Sequence, residues 1–171
     1  LTKFGGKYAT PDGRAIVCNN RLISVLNGCT TYTIPYGVTE IGDYAFDYCQ
    51  KLSQVTVPQS VTKIGYQSFG HCKLLTRVEL PQNLAEIGSM AFYMCTALSS
   101  ITIPDGVQEI KQSTFSYCTS LEEVTIPASV TNIQGWAFDN CSNLQRVYCK
   151  PTTPPTLYNA MFDETHASLK I

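Results

Sequence analysis

A strict 23-residue period is the feature that most constrains how this chain can fold. Proline, phenylalanine and cysteine each recur at this interval in five successive segments. They are Pro35, Pro58, Pro81, Pro104 and Pro127; Phe46, Phe69, Phe92, Phe115 and Phe138; and Cys49, Cys72, Cys95, Cys118 and Cys141. A repeat of roughly 20–50 residues is typical of a solenoid, in which no repeat buries its apolar face alone and stacking supplies the core.

The first part of each repeat has the pattern of a short β-strand. In the repeat that spans residues 52–74, Val55 and Val57 alternate with polar residues. This alternation and the β-branched side chains favour a half-buried strand. Pro58 follows at once, and because proline has no N–H to donate, it predicts the end of the strand.

The second part of each repeat predicts a short second strand or turn and then a short helix. The apolar and small residues Ile64, Ser68, Phe69 and Cys72 are spaced by three and four positions, which suits one or two helical turns. Each repeat is therefore expected to form one coil of a parallel stack, with a strand on one side and a helical segment on the other.

Several further columns of residues keep their character from repeat to repeat, and these predict the core. They are Leu52, Leu75, Leu98, Leu121 and Leu144; Val55, Val78, Ile101, Val124 and Val147; Ile41, Ile64, Ile87, Ile110 and Ile133; and the small residues Ala45, Ser68, Ala91, Thr114 and Ala137. Adjacent coils should lie about 4.8 Å apart, the spacing of neighbouring strands. We expect the phenylalanine column to stack along the solenoid axis.

One glycine column is less regular than the others. Gly42, Gly65 and Gly88 are followed one and two periods later by Lys111 and Gln134. A turn that requires positive φ would penalise the last two residues. Either this turn has ordinary right-handed geometry, or its shape changes along the stack.

Both ends of the chain depart from the repeat. Residues 1–28 predict a capping β-hairpin with its turn at Asn19 and Asn20. Ile23 lies one period before Phe46, so the hairpin is expected to replace one coil.

Residues 29–150 hold the five repeats, and residues 151–171 form a proline-rich exit with a degenerate last coil. The degenerate coil is indicated by Ala160, Met161 and Phe162. The final residues 168–171 look like the start of another strand.

The eight cysteines first suggest a disulfide framework, but their positions favour another interpretation. Five share one repeated column, and Cys149 takes an aliphatic strand position. Cys29 falls one period before Leu52, and Cys18 one period before Ile41. All eight are therefore predicted to be buried, reduced structural thiols. The alternatives are a single disulfide, or a metal or redox site, although CxxC spacing is absent.

The repeated pattern Leu-x-x-Val-x-Val-Pro-x-x-Val-x-x-Ile-Gly-x-x-Ala-Phe-x-x-Cys resembles the BspA-like leucine-rich repeat family of bacterial surface proteins. The resemblance covers roughly residues 30–150, and the segments around Tyr8 and Cys149 are also similar to flanks of such arrays. It implies an α/β repeat protein, a right-handed leucine-rich repeat solenoid with a parallel β-sheet and short helical segments. It also implies display on or outside the cell and adhesion to host matrix or serum proteins, and it supplies no catalytic residues.

Composition argues against several other classes of protein. Charged residues make up 15% of the chain and the net charge is −1, so no basic footprint for nucleic acid is present. No apolar run reaches the length of a transmembrane helix. His71 and His166 have no nucleophile or ligand spacing near them, and surface positions are expected for both. We therefore predict no enzyme, no cofactor and no metal.

Two outward surfaces are candidate binding sites. The first is the outer face of the predicted sheet. Its candidate ligand-binding residues are Thr56, Arg77, Glu79, Ser100, Thr102, Glu123, Thr125, Arg146 and Tyr148. The second is a stripe of aromatic and methionine residues at helical spacing, expected to be partly buried between coils or to form an interface. This stripe includes Tyr44, Tyr48, Met94, Tyr117 and Trp136.

Two functions fit these observations. The favoured one is a secreted or cell-surface module that binds proteins of a host or a neighbouring cell. The alternative is a structural spacer within a larger surface protein, without a ligand of its own. The sequence itself does not distinguish a protein partner from a glycan.

Overall fold

The computed structural model describes residues 3–157, which form fourteen short β-strands wound into a solenoid. The strands are β1 (Ala15–Cys18), β2 (Arg21–Val25), β3 (Thr31–Thr33), β4 (Glu40–Ile41), β5 (Gln54–Thr56), β6 (Lys63–Ile64), β7 (Arg77–Glu79), β8 (Glu86–Ile87), β9 (Ser100–Thr102), β10 (Glu109–Ile110), β11 (Glu123–Ile126), β12 (Asn132–Ile133), β13 (Arg146–Cys149) and β14 (Thr156–Leu157). The degenerate coil at Ala160–Phe162 and the final strand, both predicted from sequence, lie outside the described residues.

The longer strands form the predicted parallel sheet. Six strands pair in the order β13-β11-β9-β7-β5-β3. Residues one period apart lie opposite each other, as in the pairs Val55–Val78 and Ile101–Val124. These four side chains point inward and are at most 5% exposed. The 23-residue period is therefore the register of the sheet.

The two-residue strands form a second parallel ladder that is broken in the middle. One sheet has the order β1-β2-β4-β6-β8 and the other the order β10-β12-β14. The break lies where the glycine column changes from Gly88 to Lys111. A Cβ atom on Gly88 would lie 2.5 Å from the carbonyl carbon of Gly65, so glycine is needed there for close approach of the coils. None of Gly42, Gly65 and Gly88 has positive φ, so close approach and not φ explains this column.

The predicted helical segments are not formed, and no helix is present in residues 3–157. The segment after each short strand is instead a series of tight turns. Alternate amides stay within the coil, as in the 3.0 Å bond from the Asp47 N–H to the Tyr44 carbonyl. The amides of Tyr44, Phe46 and Tyr48 reach carbonyls of the next coil at 2.7–3.0 Å. Stacking thus satisfies backbone groups that a helix would have satisfied internally.

The predicted N-terminal hairpin is confirmed, but its alignment with the first repeat differs from the prediction. Strands β1 and β2 are antiparallel, and Asn19 and Asn20 have φ of 50° and 59° in the turn between them. Ile23 is 39% exposed and does not continue the phenylalanine column. Val25 takes that place. Its N–H donates to the Ala45 carbonyl, and the Phe46 N–H makes the equivalent hydrogen bond to the coil after it.

Two of the eight cysteines do not lie in the core, contrary to the prediction. Leu22, and not Cys18, pairs with Ile41, and Cys18 is only half-buried beside the hairpin turn. Cys149 is exposed, because it ends the outermost strand of the six-stranded sheet and no described residue covers it. The prediction for Cys18 extended the 23-residue register into the hairpin, where it no longer holds, whereas Cys149 keeps that register opposite Ile126.

The core is a single column of stacked rings flanked by aliphatic side chains. All five phenylalanines of the repeated column are completely buried. Successive ring centroids lie 4.8–5.5 Å apart, with interplanar angles of 1–12°. The rings are stacked face to face because the coils repeat in register, which confirms the predicted spine. No helix among residues 3–157 is long and apolar enough to cross a membrane.

Candidate functional site

The outer surface of the six-stranded sheet, called the sheet face below, contains a groove of about 790 Å³. The groove crosses β5, β7 and β9. Of the predicted ligand-binding residues, five line it. They are Thr56, Arg77, Glu79, Ser100 and Thr102. All five side chains are exposed, because in a strand every second residue points away from the buried side.

Parallel pairing arranges the sheet face in two rows. Arg77 lies opposite Gln54 on one side and Ser100 on the other. Thr56 lies opposite Glu79, and Thr102 lies opposite Thr125. Strand pairing sets these positions, and between β7 and β9 it consists of the single pair Arg77–Ser100.

The remaining predicted residues lie beyond the groove, on the last two strands. Glu123, Arg146 and Tyr148 are exposed, whereas Thr125 is half-buried. Glu123 lies opposite Arg146, and Thr125 lies opposite Tyr148. The structure therefore places all nine residues on one face, but it brings only the first five together around the groove.

Charges on the sheet face are paired with each other. The Nη2 atom of Arg77 lies 2.9 Å from Oε1 of Glu79 in the same strand. The Nη2 atom of Arg146 lies 3.3 Å from Oε2 of Glu123 on the neighbouring strand. Because all four side chains are largely solvated, each pair is worth at most about 1 kcal/mol and can open to a partner at low cost.

The opposite surface, called the turn face below, carries the aromatic and methionine stripe. It consists of the outward positions 43, 44, 47 and 48 and their equivalents in the later repeats. The stripe residues have left-handed backbone conformation instead of the helical one that their spacing predicted. Positive φ values of 48–61° occur at Tyr44, Tyr48, Gln67, His71, Met90, Met94, Ser113, Tyr117, Trp136 and Asn140.

His71 belongs to a cluster on the turn face and is not the surface histidine that the sequence predicted. Its side chain is only 13% exposed, and its Nδ1 atom lies 3.1 Å from Oδ1 of Asp47. The imidazole stacks on Tyr48 with centroids 4.0 Å apart and meets the edge of Tyr93 at 5.5 Å. These contacts join residues of three consecutive coils, so the spacing within one repeat could not indicate them.

The cysteine column is built into the backbone of the solenoid. The Sγ atoms of Cys72, Cys95, Cys118 and Cys141 each donate to the phenylalanine carbonyl of the preceding coil at 3.1–3.2 Å. For Cys49 the residue of the preceding coil is Val25 instead of a phenylalanine, and the Sγ atom of Cys49 lies 3.9 Å from the Val25 carbonyl oxygen.

The buried environment keeps these thiols protonated. Burial raises the pKa of Cys49 and of Cys141 to about 12. Reactive cysteines have a lowered pKa and access to solvent, so this column has a structural role and not a redox one. Within residues 3–157, no three histidine, cysteine, aspartate or glutamate side chains come together in a way that could hold a metal ion.

Comparison with known proteins identifies the fold and the family. The model of the BspA type leucine rich repeat region matches residues 26–164 with six copies. The chain belongs to this family. No match to the chain is found among curated protein sequences.

Solved structures of bacterial leucine-rich repeat proteins have the same architecture. A leucine-rich repeat protein of T. pallidum is 35% identical with a TM-score of 0.72, over 85% of this chain and 71% of that one. A leucine-rich cell surface protein from Faecalibacterium prausnitzii A2-165 is 32% identical with a TM-score of 0.72, over 84% of this chain and 37% of that one. The pneumococcal vaccine antigen PcpA shares the fold at 20% identity and a TM-score of 0.73, over 85% of this chain and 37% of that one. This chain therefore spans well under half the length of the last two proteins.

Proposed function

We propose that this leucine-rich repeat module binds a protein partner on or outside a bacterial cell, and that the sheet face carries the contact. The observation that carries this proposal is the groove of about 790 Å³ across β5, β7 and β9, lined by exposed side chains in fixed rows. A surface held in place by a sheet loses little conformational entropy when it binds, which favours affinity.

The partner we propose is a host matrix or serum protein, so that the module acts in adhesion. Membership of a family of bacterial surface-type proteins supports this, as does similarity to a protein described as a leucine-rich cell surface protein. The groove is polar and has paired charges, so the contact should consist mainly of hydrogen bonds. Affinity should therefore fall only modestly with salt.

The second candidate function is a structural spacer with no ligand of its own. The observation that favours it is the internal pairing of the sheet-face charges, at 2.9 Å for Arg77 with Glu79 and 3.3 Å for Arg146 with Glu123. A surface whose charges are already matched has less to offer a partner. The two candidates differ in whether the isolated module retains any extracellular protein.

The test begins with immobilised module and human plasma or matrix extract, followed by identification of what is retained and measurement of its affinity. The informative variant is Arg77→Ala with Glu79→Ala, which removes an ion pair of zero net charge from the groove. Its matched control is Arg21→Ala with Glu40→Ala, which removes a pair of the same residue types, 3.1 Å apart, from the second ladder.

For an interface centred on the groove, we expect the Arg77 and Glu79 double variant to weaken binding by about tenfold or more, which corresponds to about 1.4 kcal/mol. The control should bind like the unchanged module. Equal binding by both variants would show that the sheet face is not the contact. Failure to retain any protein at micromolar concentrations would favour the spacer.

A further inference from the structure

The turn face concentrates aromatic side chains far beyond the composition of the chain. Its four outward positions in each of the five repeats include six aromatic residues, whereas aromatics make up 11% of the whole sequence. The six are Tyr44, Tyr48, Tyr66, Tyr93, Tyr117 and Trp136. Six of these twenty positions are aromatic, so aromatic residues are almost three times as frequent on this face as in the whole chain.

Three of these rings are accessible, and ring contacts hold two of them, Tyr44 and Tyr48, in place. Tyr44, Tyr48 and Trp136 are 53%, 50% and 46% exposed. The Tyr44 ring meets Tyr66 of the next coil edge to face, with centroids 5.3 Å apart. Rings held by such contacts offer a partner large apolar surfaces that lose little freedom on binding.

The turn face is also anionic. It carries Asp43, Asp47 and Asp139 but neither lysine nor arginine, although the chain has 12 basic and 13 acidic residues. Arg21 reaches Asp43 from the hairpin with an Nη2–Oδ2 distance of 3.3 Å, and His71 contacts Asp47. The contacts made by the Asp139 carboxylate are with neutral groups, the Ser116 hydroxyl at 3.4 Å and the Asn140 amide at 3.0 Å.

From these observations we infer that the turn face docks an arginine-bearing segment of a protein partner, independently of the sheet face. A guanidinium group lies flat on aromatic rings and donates to carboxylates in the same plane, so it matches both features of this surface. Lysine fits less well, because its ammonium is strongly hydrated and has no planar surface to stack. The sheet face differs in chemistry, since its arginines and glutamates are paired within the face.

The direct test uses a short arginine–serine repeat peptide as the probe. Calorimetric titration into the full chain should give a measurable affinity that weakens as salt is added. A peptide of the same sequence with citrulline in place of arginine keeps the planar shape but loses the charge. It should bind about tenfold more weakly or not at all, because the cation–π attraction and the charge pairing are removed together.

Two substitutions locate the contact. Tyr44→Leu keeps an apolar side chain but removes the ring, whereas Tyr44→Phe keeps the ring. Because both variants have a Cβ atom at the same φ of 58°, they have the same backbone strain. We expect the leucine variant to lose about fivefold or more in affinity and the phenylalanine variant to retain it. Asp43→Asn removes a charge and keeps an oxygen acceptor for the Tyr66 N–H at 2.8 Å, so it should fold normally and bind less tightly.

The matched control is Tyr36→Leu, a tyrosine that is 90% exposed in a turn away from this face. It should bind the peptide like the unchanged chain, as should the Arg77 and Glu79 double variant of the sheet face. Equal affinity for the arginine and citrulline peptides would overturn the inference. So would unchanged binding by both Tyr44→Leu and Asp43→Asn.

Discussion

The sheet face and the turn face are built on the same 23-residue register, but their backbones are different. On the sheet face, extended strands pair directly, and none of their residues has positive φ. On the turn face, two residues in each repeat are left-handed, and alternate amides cross to the next coil. Both arrangements satisfy backbone groups through stacking. Every second side chain points outward on the sheet face, whereas pairs of adjacent side chains point outward on the turn face.

The two backbones place different demands on their side chains. Threonine is favoured in strands, and it occurs on the sheet face in β3, β5, β9 and β11. A left-handed residue other than glycine costs about 1–2 kcal/mol. The turn face includes ten such residues, so bonds between coils and ring contacts must offset that cost. The turn face is therefore expected to depend more on its neighbours than the sheet face does.

The largest expected effect comes from the rings beneath the turn face. Phe92 is completely buried, with Phe69 at 5.2 Å and Phe115 at 5.5 Å. We expect Phe92→Ala to lower the free energy of unfolding by about 3–5 kcal/mol, because the cavity interrupts the stack. Val124→Ala beneath the sheet face should cost about 2 kcal/mol, since fewer methyl groups are removed. Urea unfolding measures both, and equal losses would show that the two sides of the core contribute alike.

The next effect tests the close approach of coils beside the turn face. Gly88→Ala should lower the free energy of unfolding by about 1–3 kcal/mol, because the new methyl group would overlap backbone atoms of Gly65. Gly5→Ala is the control, since an added Cβ there meets nothing within 4 Å. If thermal unfolding finds the two variants equally stable, the coils can separate at Gly88 without loss.

The smallest expected effect is the difference in stability between a glycine and an alanine variant, which should have opposite signs on the two faces. At Trp136, where φ is 58°, the glycine variant should be more stable than the alanine variant by about 1 kcal/mol, because glycine tolerates the left-handed region. At Thr102, in strand β9, glycine should instead be less stable than alanine by about 0.5–1 kcal/mol. The four variants are compared by urea unfolding. The same sign at both positions would contradict the backbone difference described above.

Much of the fold could be predicted from the period alone. The inward columns, the parallel sheet and the stacked phenylalanines all follow from identical residues recurring at identical intervals. The predictions for Cys18 and Ile23 were wrong because they extended that interval into the hairpin, which is not a regular coil. The prediction that Cys149 is buried was wrong although the interval holds at that residue. The hairpin has its own register, and Cys149 lies on an edge strand.

The candidate surfaces were predictable to different degrees. Strand alternation placed all nine sheet-face residues on one side, but their grouping around a groove depends on the shape of several coils together. The stripe on the turn face was found by its spacing and assigned the wrong backbone. The contact of His71 with Asp47 joins residues 24 positions apart, and no local pattern indicates it.

The sequence by itself determined that the chain stacks as a solenoid, which residues form its core, and which residues point outward from its sheet. Only the tertiary structure decided the conformation of the segment between Gly42 and Leu52 and its equivalents. Spacings of three and four suit a short helix and a series of tight turns equally well. The choice between them depends on hydrogen bonds to the next coil, as from the Tyr48 N–H to the Gly70 carbonyl at 2.9 Å, which exist only once the coils are stacked.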